Sequence, residues 1–355
     1  EVSPPLVERM DTLKAGGGID SADIVRLVAD EPLGLRPELT ASIARAATTR
    51  LAERPRPLRL WSSGTVFESR ISDEGGQRIE EKLHSGVELF GSSHVSGELE
   101  LLSLLLDALE ALKLHPTQGT RLLVGHAALM GLILEPVAPA LREQVKEALV
   151  SFDRLKLEQL ELPEALVKRL KQQIDLRGQP DHVLEQERRL FGPQPVLSEL
   201  ERLFKHLEPI AERLGVSLQL DPSFQPHFEL YDGLVFQLVC EGTSAPVVVA
   251  RGGRYNRVLK RFGATGPQAA GLGFSFCLDD IRDLPAAEQL PSADMDKVLV
   301  TYGPKSSLEK ALARQQDLHR QGQTAVLELD VVSGEQEAAA LQVAKGCNSF
   351  AWLSD

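Results

Sequence analysis

Ala250–Gly263, ARGGRYNRVLKRFG, and the run that follows it at Gly271–Ile281, GLGFSFCLDDI, are the most informative part of this chain. Just upstream, Val216 to Cys240 places apolar residues at period two in SLQLDP and HFELYDGLVFQLVC, and PVVVARGG leads straight into the first run. That pattern predicts antiparallel strands around short turns. Gly252 and Gly253 mark a place where something approaches the strand backbone closely, because a residue without a side chain leaves the space open. A second informative pair lies earlier: LRLWSSGTVFESR at Leu58–Arg70, a polar run, then KLHSGVELFG at Lys82–Gly91.

Outside these strands the spacing predicts helices. Leucine recurs at helical intervals in ELELLSLLLDALEALKL, Glu98–Leu114, giving a core helix with Glu98 and Glu100 in its first turn, where carboxylates suit the dipole. Arg36-Pro37 makes a turn before a helix that runs to Arg50, capped by Thr40 or a neighbour. Amphipathic runs at Arg142–Leu155, Pro163–Ile174 and Ser198–Leu214 predict further helices. Glu1–Val2 reads as a strand, and a start without Met suggests a trimmed N-terminus. After Pro285 the composition shifts and Pro291 closes a short linker. KVLVTYG, a helix from Ser306 to Gln321, TAVLELD, a helix near Glu335–Ala344, and SFAWLS then alternate as in a small parallel-sheet domain. The expected class is α+β, with a core over 1–119 and 196–290, a helical insertion over 120–195, and a small α/β domain over 291–355.

Composition narrows the function. Apolar residues at 43% and charged residues at 25% are those of an ordinary soluble protein. No apolar run approaches the roughly 20 residues a membrane helix needs, and EVSPPLVE lacks the regions of a secretory signal. Cys240, Cys277 and Cys347 are far apart in apolar contexts, which indicates neither a disulfide framework nor a metal site and fits a reducing cytoplasm. A net charge of -12 handicaps nucleic-acid binding, which rests on neutralising phosphates, and no dense basic cluster compensates.

Leu58–Arg70 with Lys82–Gly91 resembles the second signature motif of class II aminoacyl-tRNA synthetases of the histidyl type. Ala250–Gly263 with Gly271–Ile281 resembles the histidyl-specific GGRYD segment and the third signature. The resemblance implies an antiparallel class II sheet with helices, Pro5 at a dimer interface, and a C-terminal domain like a shortened anticodon-binding module. Two positions depart from the motifs. Glu68 follows Phe67 where the second signature has an arginine, and Asp280 stands where the third has the arginine that grips the triphosphate. A guanidinium about 4 Å from a phosphate, at an effective dielectric near 20, gains roughly 4 kcal/mol, and a carboxylate there loses about as much. It also lacks the planar fork. Arg70 and Arg282 are the nearby cations that could serve instead. In SFQPHFELY, Gln225 and Pro226 stand where the histidyl enzymes carry a further catalytic arginine.

The amino-acid pocket of the resemblance is better kept. LRPELT retains Glu38 and Thr40, whose carboxylate and hydroxyl suit an α-ammonium group. Glu88 in GVELFG matches a second pocket acid, and Tyr231 and Tyr255 match aromatics that wall an imidazole. His84 replaces a glutamine and Leu230 the first tyrosine of a pair. The plain readings stand beside these: Tyr231 and Tyr255 as ordinary buried aromatics, Glu38 and Glu88 as solvated acids, His84 as a structural residue, and His126 as a capping or core histidine. Arg251 and Arg254 read either as remnants of phosphate binding or as strand-edge salt-bridge partners.

A synthetase-like body with an amino-acid pocket and without phosphate arginines resembles the regulatory subunits of ATP phosphoribosyltransferase, the first enzyme of histidine biosynthesis. PPLVERMDTLKAGG and VADEPLGLRPELTASIARAA are most like the cyanobacterial members. The family implies a subunit with no catalysis and no cofactor of its own, taking histidine as a regulatory ligand. It implies a homodimer within a hetero-oligomer, a hetero-octamer, with the short-form catalytic subunit as partner and with neither tRNA nor membrane. The alternatives are an active histidyl-tRNA synthetase with displaced arginines, and a stand-alone histidine-binding or tRNA-binding module.

Overall fold

The computed structural model describes residues 1–16, 23–71, 76–112, 114, 119–226, 230–284 and 297–354. The chain divides into two compact units, Glu1–Ala287 and Glu288–Asp355. The expected linker at Pro285–Pro291 lies outside the described residues.

In the first unit β1 (Val7–Arg9) pairs with β2 (Leu33–Leu35). The main sheet comprises β3 (Leu58–Ile71), β4 (Gln77–Phe90), β5 (Arg121–His126), β6 (Ser217–Leu220), β7 (Leu234–Glu241), β8 (Pro246–Arg254) and β9 (Gly271–Cys277). Their spatial order is β3-β4-β9-β8-β7-β5-β6. Neighbours run antiparallel except β5 and β6, which are parallel. The sequence pattern at SLQLDP predicted an antiparallel strand, so this pairing is a correction. Its cause is the connection: residues 127–216 form helices that carry the chain back to the start of β5, as a parallel crossover requires.

Alternation builds the core. In GLGFSFC, Leu272, Phe274 and Phe276 join Leu122, Val124, Phe236 and Leu238 on the buried face of the sheet. The helices Val95–Ala111 and Pro195–Leu214 cover that face with Leu101, Leu102, Leu105, Leu106, Leu109, Leu200, Leu203 and Leu207. Each fully buried leucine contributes about 1.5–3 kcal/mol of transfer free energy. Because successive residues of a strand point to opposite faces, Gly271, Gly273, Ser275 and Cys277 turn the other way. On that second face the helix Thr40–Thr48 packs Leu39, Ile43, Ala44 and Ala47 against Val66, Phe90, Tyr255 and Val258.

Two further expectations change. Strand structure begins at Val7 and not at Glu1–Val2, although the Val2 N–H does donate to the Trp61 carbonyl at 2.9 Å. The segment 120–195 opens with β5, a strand of the central sheet, before its helices Ala127–Leu134, Arg142–Val150, Arg154–Gln159, Glu164–Asp175 and Pro180–Phe191. It belongs to the same compact unit as the core and is not a purely helical insertion.

The second unit has β10 (Lys297–Tyr302) between β11 (Thr324–Leu327) and β12 (Ser349–Leu353), all parallel, with helices Leu308–Arg320 and Glu335–Ala344. Its core is Val298, Val300, Tyr302, Ala311, Leu318 and Ala325. The strand-helix alternation of the sequence is what the structure contains.

Candidate ligand cavity

The glycine-rich face of the sheet opens into a cavity of about 140 Å³. Glu38, Thr40, His84, Glu88, Tyr231 and Tyr255 all line it, as do Glu68 and Leu230. Residues from five separate stretches of the sequence are thus brought to one place.

Glu38 and Thr40 arrive at the start of the helix Thr40–Thr48. The Glu38 carboxylate accepts the Ala41 N–H, at 2.9 and 3.1 Å to its two oxygens, so the neighbour that caps this helix is also a cavity wall. Thr40 Oγ1 donates to Glu88 Oε1 at 2.8 Å, and the Tyr255 hydroxyl donates to Glu88 Oε2. Glu88 sits opposite Gly273 in register, where a Cβ would lie 1.7 Å from Glu88 Oε2. Only glycine there leaves the carboxylate its slot. Tyr231, in the turn before β7, lies over Gly253, where a Cβ would come within 2.5 Å of the ring. The close approach expected at Gly253 is therefore that of a cavity side chain. Tyr255 stands edge-on to Phe90, with centroids 6.4 Å apart.

Burial pushes the Glu88 carboxyl up to about 8, against the pull of the Tyr255 and Thr40 hydrogen bonds. Burial also raises Glu38, opposed by the Ala41 N–H, and raises both tyrosine hydroxyls. His84 is lowered by burial, and its Nδ1 stands 3.4 Å from Ser275 Oγ. Burial thus makes the charged forms of the Glu38 and Glu88 carboxyls costly, and both gain by meeting a cation.

An adjoining pocket of about 50 Å³ shares Glu68, His84, Arg251 and Ser275 with the cavity and adds Lys82, Cys277 and Asp280. Asp280 pairs with Lys82 at 3.2 Å, so its charge is partly compensated and Glu68 is the acid common to both spaces. Arg282 turns to Asp279 and Asp283 at 2.9 and 3.1 Å and lines neither space. The Arg70 side chain lies outside the described residues. Gln225 is buried and donates to the Tyr231 carbonyl at 3.4 Å. Arg254 is buried against Glu98 and His126 caps the helix Ala127–Leu134, accepting the Ala128 N–H at 3.0 Å.

Sequence reasoning missed Ser62, whose hydroxyl is buried in the cavity wall without a hydrogen-bond partner among the described residues. It also missed the floor of Gly86, Gly273 and Ser275, although the small-large alternation of GLGFSFC carries the signal.

The model of the family described as Histidyl-tRNA synthetase matches residues 1–281. A protein of Prochlorococcus marinus (strain MIT 9303), described as ATP phosphoribosyltransferase regulatory subunit, is 57% identical over 353 residues, which span 99% of this chain and 90% of that protein. The chain belongs to the family of ATP phosphoribosyltransferase regulatory subunits. A regulatory subunit of the same description from Synechococcus sp. (strain WH7803) is 55% identical over 355 residues, spanning 100% of this chain and 91% of that one. A crystal structure of an ATP phosphoribosyltransferase regulatory subunit/histidyl-tRNA synthetase from Bacillus halodurans superposes with a TM-score of 0.78 at 22% identity, covering 100% of this chain and 89% of that chain. At that identity the likeness concerns the fold, which is the class II synthetase-like fold expected of this family.

Proposed function

We propose that this chain is a non-catalytic, cytoplasmic regulatory subunit that binds histidine in the cavity of Glu38, Thr40, His84, Glu88, Tyr231 and Tyr255. Through that binding it activates and feedback-regulates a short-form ATP phosphoribosyltransferase catalytic subunit in histidine biosynthesis. It does so as a synthetase-like homodimer within a hetero-oligomer, without tRNA and without a cofactor. The observation that carries this reading is the Thr40–Glu88–Tyr255 hydrogen-bonded cluster beside Glu38, a set of acceptors for ammonium and imidazole N–H groups. The volume of about 140 Å³ supports it, being below the ~300–1,000 Å³ of pockets for drug-sized ligands. Glu68 in the wall opposes a polyphosphate, and adenylate formation depends on neutralising one.

ATP–pyrophosphate exchange with histidine separates this role from that of a histidyl-tRNA synthetase. The expected result is no exchange above background from the purified chain, while isothermal titration detects histidine binding. Robust histidine-dependent exchange overturns the regulatory reading in favour of the synthetase.

A further inference from the structure

Arg251 lines both the cavity and the adjoining pocket. Among the described residues lining the cavity it is the one Lys or Arg, against the three acids Glu38, Glu68 and Glu88. It stands on β8 opposite Ser275 of β9, which in turn faces Gly86 of β4. This row lies two residues, about 7 Å, along the strands from the row of Glu88, Gly273 and Gly253. Gly86 and Ser275 in the first row and Gly273 in the second keep the floor of this face low. Arg251 has no ion pair among the described residues, in contrast with the neighbouring Arg254, which Glu98 neutralises, and Lys82, which Asp280 neutralises. Its positive charge nevertheless bears on His84 and on Tyr231 from the cavity side.

The cavity is therefore polarised. Glu38, Glu88 and the hydroxyls of Thr40 and Tyr255 gather at one end, and the Arg251 guanidinium stands at the other, beside Glu68, His84 and Ser275. A ligand carboxylate placed anywhere among three acids would be repelled unless a cation received it. A guanidinium fork is matched to a carboxylate in shape as well as charge. We infer that Arg251 is the residue that reads the free carboxylate of the bound amino acid, and that the site thereby selects zwitterionic amino acids over carboxylate-free amines of the same side chain. The inference rests on the histidine reading and adds the group that excludes histidine's decarboxylated and reduced analogues. His84 and the Ser275 hydroxyl stand beside it and hold the second side of that subsite.

The test is isothermal titration of the full chain with histidine and with histidinol, in the wild type and in Arg251→Gln and Arg251→Lys. Arg251 is exposed and has no ion pair among the described residues, so its replacement leaves the fold intact. The wild type is expected to prefer histidine by about 10- to 100-fold, the range of one charge-assisted contact. Arg251→Gln should lose most of that preference by weakening histidine alone, and Arg251→Lys should restore part of it. A wild type that binds both ligands equally overturns the role of Arg251 while leaving the histidine site standing. So does an Arg251→Gln chain that weakens both ligands equally, or neither. A wild type that binds no histidine removes the histidine reading and this inference together.

Discussion

Glu88 gathers most of the physics of the cavity into one side chain. It is 7% exposed, receives Thr40 and Tyr255, and has its carboxyl raised to about 8 by burial. Below its ordinary value of 4.5 it is protonated in both folded and unfolded chains. As pH rises from there toward 8 the unfolded chain releases a proton that the folded one keeps, so the folded state loses stability across that window. Glu88→Gln removes this slope. Urea unfolding should show the variant near wild-type stability at pH 4.5 and more stable at pH 8, by something on the order of 3 kcal/mol. Equal differences at the two pH values would deny the raised carboxyl. Histidine binding, by bringing a cation to Glu88, should also release a proton near pH 7, visible as a buffer-dependent binding enthalpy that shrinks above pH 8.

At the scale of elements, the cavity exists because small residues alternate with large ones on β9 and β8. Gly273→Ala would put a methyl 1.7 Å from Glu88 Oε2, with the β4 backbone behind it. The carboxylate must leave its hydrogen bonds with Thr40 and Tyr255, so histidine binding should fall at least tenfold in calorimetry, with roughly 1–3 kcal/mol lost in thermal or urea unfolding. Unchanged histidine affinity would show that Glu88 is not held by that slot. Beside this floor, Arg254 of β8 and Glu98 of the helix Val95–Ala111 form a buried pair at 2.7 Å, and Arg254 also donates to the Ser92 carbonyl at 2.8 Å. Breaking one side strands a buried charge. Arg254→Met should cost about 3–5 kcal/mol, and adding Glu98→Leu should recover most of it in a double-mutant cycle.

The same elements mark what a single sequence holds. The leucine spacing of Glu98–Leu114 gave its helix, and the period-two runs gave β7, β8 and β9, because those signals are local. The burial of Glu98 was not legible as anything beyond a first-turn acid, since its partner lies 156 residues away. The direction of β6 was hidden for a similar reason: four alternating residues fit either orientation, and the helical return decides. Tyr231 sits in a turn ahead of β7 although its neighbours read as strand. All six expected cavity residues do meet at one cavity, because each was matched to a motif and not to a local propensity. Ser62 and Arg251 lie inside the same motif stretches but match no pocket residue of the resemblance, and only their convergence on the same space distinguishes them.

At the scale of the whole chain, the class II body occupies the first unit and the parallel α/β domain the second. In the regulatory reading the cavity acts through linkage: histidine shifts the complex by its difference in affinity between two arrangements, and a coupling of about 1–3 kcal/mol gives a 5- to 150-fold change. The most direct measurement is phosphoribosyltransferase activity of the short-form catalytic subunit, with and without this chain, across histidine concentrations, using wild-type and Gly273→Ala forms. Activity should require this chain, fall as histidine rises, and become resistant to histidine with Gly273→Ala. Activity that is independent of this chain, or histidine inhibition that persists unchanged when the cavity is blocked, would contradict the account.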